Sequence, residues 1–155
     1  MEKRIAIFPG SFDPFTVGHE SLVKRALPLF DEIIIAIGVN AEKKSFLTAE
    51  ERIKLISDFY AGNDRIKVVA YQGLTVDIAK QYNARFILRG VREVKDFEYE
   101  RTLGTMNREI SGLETILLYT LPELGHVSSS LVKELIHYNV DITKYIPKGM
   151  VLPKK

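Results

Sequence analysis

Arg4-Ile-Ala-Ile-Phe-Pro-Gly-Ser-Phe-Asp-Pro-Phe-Thr-Val-Gly-His19 is the stretch on which the reading of this 155-residue chain turns. Ile5 to Phe8 is a short, nearly all-apolar run stopped by Pro9-Gly10, the pattern of a central parallel strand covered on both faces. From about Gly18 the apolar residues fall at Leu22, Val23, Ala26, Leu27 and Phe30, which is a helical spacing. The turn between strand and helix therefore ends where helix N–H groups lack partners and attract anions. Gly10 and Gly18 let the backbone approach a ligand closely, and Ser11, Thr16 and His19 offer side-chain donors at the same opening. Taken singly, Gly10, Asp13 and Pro14 are ordinary loop punctuation. Combined, a strand, a glycine turn, a hydroxyl and a histidine at a helix start form one site, which reads as a nucleotide-phosphate cradle. The Walker pattern and G-x-G-x-x-G are both absent, so neither a P-loop nor a dinucleotide fingerprint explains it.

Outward from this stretch, strands and helices alternate. Ile33 to Val39 is a β-branched run suited to a second strand buried on both faces, and Thr48-Ala-Glu-Glu51 is a capping box ahead of Ile53, Leu55, Ile56 and Phe59. Ile66 to Tyr71 makes a third strand, broken by Gly73, and Val76, Ile78, Ala79 and Tyr82 suggest a third helix. Arg85 to Leu88 makes a fourth strand. The charged segment from Arg89 onward continues through Leu103, Met106, Asn107 and Ile110 as a long helix ending near Gly112. Glu114 to Tyr119 supplies a fifth strand, and Ser128-Ser-Ser130 opens a helix carrying Leu131, Val132, Leu135 and Ile136. A last helical turn around Ile142 to Ile146 is limited by Pro147, and a loosely held tail runs from about Val151 to Lys155.

This order predicts one α/β domain over residues 1–155, with a doubly wound, mainly parallel five-stranded sheet and helices on both faces. In such sheets ligands sit beyond the carboxyl ends of the strands, where strand order reverses. The polar candidates follow the strands in turn: Ser11 to His19, Lys43, Gly73 to Thr75, Arg89 to Arg92, and Ser128 to Ser130. Five loops are thus expected on one rim.

Composition sets the outer bounds. With 46% hydrophobic residues the chain can bury a substantial core. The 22 Lys and Arg against 20 Asp and Glu give a net charge of +2, unlike the dense basic surface of a nucleic-acid binder, so any anion site is local. The absence of cysteine excludes disulfides, thiolate metal sites and a cysteine nucleophile. Met1-Glu-Lys-Arg leads straight into a strand, and no apolar run approaches membrane-spanning length, so a soluble cytoplasmic protein is expected.

Pro9-Gly-Ser-Phe-Asp-Pro14 with Thr16-Val-Gly-His19, Arg89-Gly-Val-Arg92, Asp96-Phe-Glu-Tyr-Glu100, Met106-Asn-Arg108 and Ser128-Ser-Ser-Leu-Val-Lys-Glu134 closely resemble bacterial phosphopantetheine adenylyltransferases. These are T/H-x-G-H nucleotidylyltransferases with a Rossmann-like fold, and the resemblance runs from Lys3 to about Pro147. T-x-G-H alone marks only the superfamily, whereas the arginine-glycine-x-arginine segment followed by Asp96 to Glu100 is far more discriminating. The resemblance implies adenylyl transfer from ATP to 4′-phosphopantetheine, giving dephospho-coenzyme A and pyrophosphate, with Mg2+ as cofactor. It also implies a homohexamer and feedback inhibition by coenzyme A.

By the same resemblance His19 stabilises the transition state at the α-phosphate, with Lys43 and Arg92 as further catalytic residues. ATP maps to Ser11, Phe12, His19, Gly90, Val91, Arg92, Glu100 and the segment Leu124, Gly125, His126, Val127, Ser128, Ser129 and Ser130. Phosphopantetheine maps to Ser11, Lys43, Thr75 and Arg89. No metal ligand is assigned. Ser11 stands where threonine is common, Val127 where isoleucine is usual and Thr75 where methionine is frequent. The Leu124 to His126 loop lacks the aromatic residue of some members.

The residue types suit this chemistry. A phosphate monoester is largely dianionic at neutral pH, with a second pKa of about 6, so no general base is needed. The difficulty is anion meeting anion, which preorganised donors and positioned cations relieve. On residue type alone the alternatives stay open: Lys43-Lys44 as a solvated pair, Arg89 and Arg92 paired with Glu93 or Asp96, Ser128 to Ser130 as a simple cap, Glu100 as a helix-surface acid, and Tyr99 as a core residue. His126 and His137 have no metal-ligand spacing.

Overall fold

Five strands, β1 (Ile5–Gly10), β2 (Glu32–Gly38), β3 (Ile66–Tyr71), β4 (Phe86–Val91) and β5 (Glu114–Tyr119), form one sheet in the order β3-β2-β1-β4-β5. Every pairing is parallel. The computed structural model describes all residues from Met1 to Lys155. The helices are α1 (Val17–Ala26), α2 (Ala49–Phe59), α3 (Thr75–Gln81), α4 (Val94–Ser111) and α5 (Ser129–His137), with 3-10 turns at Pro122–Leu124 and Thr143–Tyr145. The doubly wound fold expected from the alternation is the fold observed.

Burial follows the two-residue period of the strands. Ile33, Ile35 and Ile37 of β2 join Ala6, Phe8 and Leu88 on one face, beneath Leu22, Val23 and Ala26 of α1 and Ile56 of α2. Ile34 and Ala36 join Ile7 and Ile87 on the other, beneath Val76, Ile78 and Ala79 of α3. A central strand sandwiched in this way has no solvent face, which is why its sequence reads as an unbroken apolar run.

Two strand ends differ from expectation. β1 continues through Pro9 and Gly10, which stay in register with Ala36 and Ile37 of β2. Proline fits because β1 and β4 pair only at Ala6–Phe86 and Ile7–Ile87 and then part. The Pro9 carbonyl faces that widening gap and accepts from Arg89 Nη1 at 2.8 Å, so no ladder donor is missed there. β4 likewise runs on through Arg89, Gly90 and Val91, paired with Leu117, Leu118 and Tyr119 of β5. The arginine-glycine segment is therefore strand, and Arg89 projects from a rigid ladder.

The two other forecasts of chain ends are mixed. Gly112 closes α4 in the left-handed region at φ 78°, as glycine at that position allows. The tail expected to be loosely held from about Val151 is tied to the body at its far end, where Lys155 Nζ lies 2.7 Å from a Glu51 carboxylate oxygen, and Met150 just before it packs against the core. No helix is long and apolar enough to cross a membrane.

Candidate active site

Where β1 and β4 diverge, a cleft of about 390 Å³ opens at the carboxyl end of the sheet. Its wall is built by Phe8 of β1, Thr16, Gly18 and His19 at the start of α1, Arg89 and Gly90 of β4, and Arg92 beyond it. Asp96, Tyr99 and Glu100 of α4, Thr120 after β5, and Val127 to Ser129 at the start of α5 complete it. A second cavity of about 200 Å³ shares Arg89, Tyr99 and Glu100 with the first and extends past Pro9, Gly10, Tyr71, Thr75, Leu103 and Asn107. Arg89, Tyr99 and Glu100 thus stand between two adjoining compartments.

His19 is placed by a capping box. Thr16 caps α1, its Oγ1 accepting from the His19 backbone N–H, while the Thr16 backbone N–H donates to His19 Nδ1 at 3.0 Å. The ring is packed against Phe12 at 4.9 Å and Phe15 at 5.2 Å between centroids. Burial, followed by the charges of Arg89 and Arg92, lowers its pKa from 6.5 to about 4. The imidazole is neutral at pH 7, and Nε2 carries the proton because Nδ1 is occupied as an acceptor.

Arg89 is held just as firmly. Its Nε and Nη2 donate to the Glu100 carboxylate at 2.7 to 3.0 Å, and Nη1 donates to the Pro9 carbonyl. Glu100, 5% exposed, is the one buried residue of α4, so it is an internal counterion and not the surface acid that residue type alone allowed. Arg92 pairs more loosely with Asp96 at 3.6 Å. At the third edge Ser128 caps α5 by accepting from the Leu131 N–H, and the Ser129 hydroxyl donates to the Pro14 carbonyl. The first turns of α1 and α5, where backbone N–H groups have no partner within the helix, both border the cleft.

A cytidylyltransferase-like family model matches residues 7–135. A phosphopantetheine adenylyltransferase of Bacteroides thetaiotaomicron is 56% identical over 147 residues, covering 95% of this chain and 97% of the relative. One of Porphyromonas gingivalis is 49% identical over 152 residues, covering 98% and 99%. The chain belongs to the phosphopantetheine adenylyltransferase family. Among solved structures, a bifunctional NMN adenylyltransferase/ADP ribose pyrophosphatase of Francisella tularensis, complexed with AMP and a manganese ion, shares the fold at TM-score 0.70 with 15% identity. The match covers 96% of this chain and 45% of that one.

Against the site expected for a phosphopantetheine adenylyltransferase, the cleft brings together His19, Arg89, Gly90, Arg92, Glu100, Val127, Ser128 and Ser129. Thr75 lines the adjoining cavity, its Oγ1 3.0 Å from the Tyr71 hydroxyl. The other candidates stand apart from both compartments. Lys43 is exposed in a turn and lines neither, and Ser11, Gly125, His126 and Ser130 are also exposed outside them. The Phe12 ring is 2% exposed beneath His19 and the Val91 side chain is buried in the sheet, leaving each only its backbone for a ligand. Leu124 is half-buried in the 3-10 turn and lines neither compartment. Thus three of the five rim loops meet in the cleft, and a fourth reaches its neighbour. Tyr71, Tyr99, Asp96 and Thr120 had no place in the expected site; Tyr99, 62% exposed at the boundary between compartments, lies inside the recognised Asp96 to Glu100 motif.

Proposed function

We propose that this cleft carries out adenylyl transfer from ATP to 4′-phosphopantetheine, yielding dephospho-coenzyme A and pyrophosphate. The observation that carries the reading is the neutral His19, its Nδ1 tied to Thr16 and its Nε2–H left to donate, beside Arg89, Arg92 and the serine-led start of α5. The triphosphate lies along the larger compartment, with Arg92 and the first turn of α5 on the departing pyrophosphate. The pantetheine arm occupies the smaller compartment past Thr75, and Arg89 between them meets the attacking phosphate. Ser11 and Lys43 close over the acceptor side from the loops after β1 and β2. The reaction is an in-line displacement: the acceptor phosphate oxygen bonds to the α-phosphorus as the bond to pyrophosphate breaks, and no proton need be removed first. His19 donates to a non-bridging α-phosphoryl oxygen as charge shifts during transfer.

Mg2+ fits this arrangement through the substrate and not through a protein cage. No group of three or more His, Asp or Glu side chains is placed to hold a metal, and the two carboxylates on the cleft, Asp96 and Glu100, are each engaged by an arginine. Bound to the triphosphate, the ion would supply charge neutralisation. Incubation with ATP, Mg2+ and 4′-phosphopantetheine tests the assignment: pyrophosphate and dephospho-coenzyme A form together, and absence of either product refutes it. Turnover stops on chelation and returns with added Mg2+.

Three further properties belong to the same proposal. The enzyme is a homohexamer, consistent with the apolar residues Val94, Phe97, Met106 and Ile110 exposed along α4, and sedimentation equilibrium checks the mass. Coenzyme A, which shares the product's framework, inhibits by competing with phosphopantetheine in initial-rate kinetics. The enzyme resides in the cytoplasm, to be checked by cell fractionation.

A further inference from the structure

Arg52 on α2 is 4% exposed, yet it has no carboxylate partner. Its Nη1 donates to the Ser11 carbonyl at 2.8 Å and reaches the Gly38 carbonyl at 3.5 Å, and its Nε donates to the Thr48 carbonyl at 3.3 Å. Ser11 lies just beyond β1 and Gly38 at the carboxyl end of β2. A second tie joins the same two loops. The Asp13 carboxylate, 5% exposed, accepts from the backbone N–H groups of Phe46 at 2.8 Å and Leu47 at 2.7 Å, with Lys133 Nζ of α5 3.8 Å away. The segment that carries Lys43 is therefore anchored to the β1–α1 turn at its start through Gly38 and at its end through Phe46 and Leu47.

Burying a cation among neutral carbonyls is costly, and an apolar side chain would fill the same volume without that penalty. What the guanidinium supplies is a planar fork whose donors point in several directions at once, which the single ammonium of lysine does not reproduce. Here the fork spans three chain segments. Strand order adds the side on which it acts. Arg52 bridges β1 and β2, whereas the larger compartment opens between β1 and β4 and includes neither Arg52 nor residues 39–47.

We propose that Arg52 is a positioning residue for the acceptor half of the reaction. By locking the Ser11 carbonyl to the end of β2, it fixes the distance between the Ser11 turn and the Lys43 loop, and so the alignment of the attacking phosphate. This rests on the adenylyl-transfer assignment above. Steady-state kinetics of the wild type, Arg52→Met and Arg52→Lys test it. In both variants KM for 4′-phosphopantetheine rises tenfold or more while KM for ATP stays within twofold, and the lysine does not restore the acceptor KM although it restores the charge. Equal rises in the two KM values, or an unchanged acceptor KM in either folded variant, overturn the proposal. Should Arg52→Met fail to fold, Arg52→Lys alone decides. Failure of the wild type to convert phosphopantetheine would refute the assignment of the reaction instead. Hydrogen exchange then judges the anchor by itself: amides of residues 39–47 exchange at least tenfold faster in Arg52→Lys than in the wild type, and unchanged exchange overturns it.

Discussion

His19 Nδ1 lies 3.0 Å from the backbone nitrogen of Thr16, the residue that caps the helix His19 belongs to. A backbone N–H only donates, so this contact settles which imidazole nitrogen holds the lone pair and leaves the proton on Nε2. The T-x-G-H spacing has a physical reason here. Threonine at the cap and histidine three residues on satisfy each other's backbone N–H groups, and the same exchange orients the ring as a donor. Stabilising the helix end and preparing the reaction are one arrangement.

If that donor acts mainly in the transition state, His19→Ala lowers kcat by about 10²- to 10³-fold, the usual cost of one preorganised donor. ATP affinity measured by calorimetry stays within about threefold. A fall in ATP affinity that matches the fall in kcat would instead make His19 a ground-state contact.

The lowered pKa of His19 also ties stability to pH. The unfolded chain takes up this proton near pH 6.5, whereas the folded imidazole stays neutral down to about 4. Between those values the unfolded state binds more protons, so stability rises with pH: the contribution is complete above about 6.5 and is lost as pH falls toward 4. The gap corresponds to about 3 kcal/mol. Urea unfolding of the wild type and His19→Asn at pH 7 and pH 4.5 checks it: the wild type loses more stability on acidification than the variant does. Equal losses would mean that the ring is not held neutral.

A methyl group at position 10 should act on His19 from beneath. A Cβ there would lie 3.0 Å from the tip of the Phe12 ring, which is buried and packed edge-on against His19. Phe12 cannot swing into solvent, so Gly10→Ala costs about 1–3 kcal/mol of stability as overpacking. It also lowers kcat at least tenfold through displacement of the imidazole, since small misplacements are costly in preorganised sites. Thermal unfolding with parallel kinetics checks both, and normal turnover in the folded variant would show that the ring absorbs the strain elsewhere.

How much of this was legible in the sequence depends on the range of each interaction. The sheet was legible because β2 alternates its isoleucines between two buried faces. The box at Thr48 and Glu51 was recognised, yet the same geometry at Thr16 and His19 was not, because histidine at the third helical position is outside the usual Ser/Thr-x-x-Glu/Gln pattern. Asp13 looked like turn punctuation, and its bonds to Phe46 and Leu47 span more than thirty residues, a distance no local pattern reveals. Arg52 sat unnoticed inside an amphipathic helix for the same reason. Glu100 was recognised within its motif, but its burial follows from Arg89 being on a strand, and the reading of the charged run from Arg89 onward as helix had ended that strand at Leu88.

The Arg89–Glu100 pair gives the last prediction. Glu100→Gln keeps the side-chain shape but leaves the guanidinium without its counterion: its acceptors are then neutral, one amide oxygen and the Pro9 carbonyl, and the new amide NH2 faces an arginine donor. The Glu100 side chain is 6% exposed, so breaking the pair is costly, but Arg89 at 30% exposure reaches the cleft, which puts the loss at about 3 kcal/mol, the lower end for buried pairs. An arginine freed from this clamp also holds the acceptor phosphate less well, and kcat/KM for phosphopantetheine falls at least tenfold. The double variant Arg89→Gln, Glu100→Gln should recover part of the stability, since no charge is then left alone, while its activity falls further. Urea unfolding of the two single variants and the double variant decides the matter. Strictly additive losses would mean that the two side chains do not act as a pair, and that Arg89 is oriented by the sheet alone.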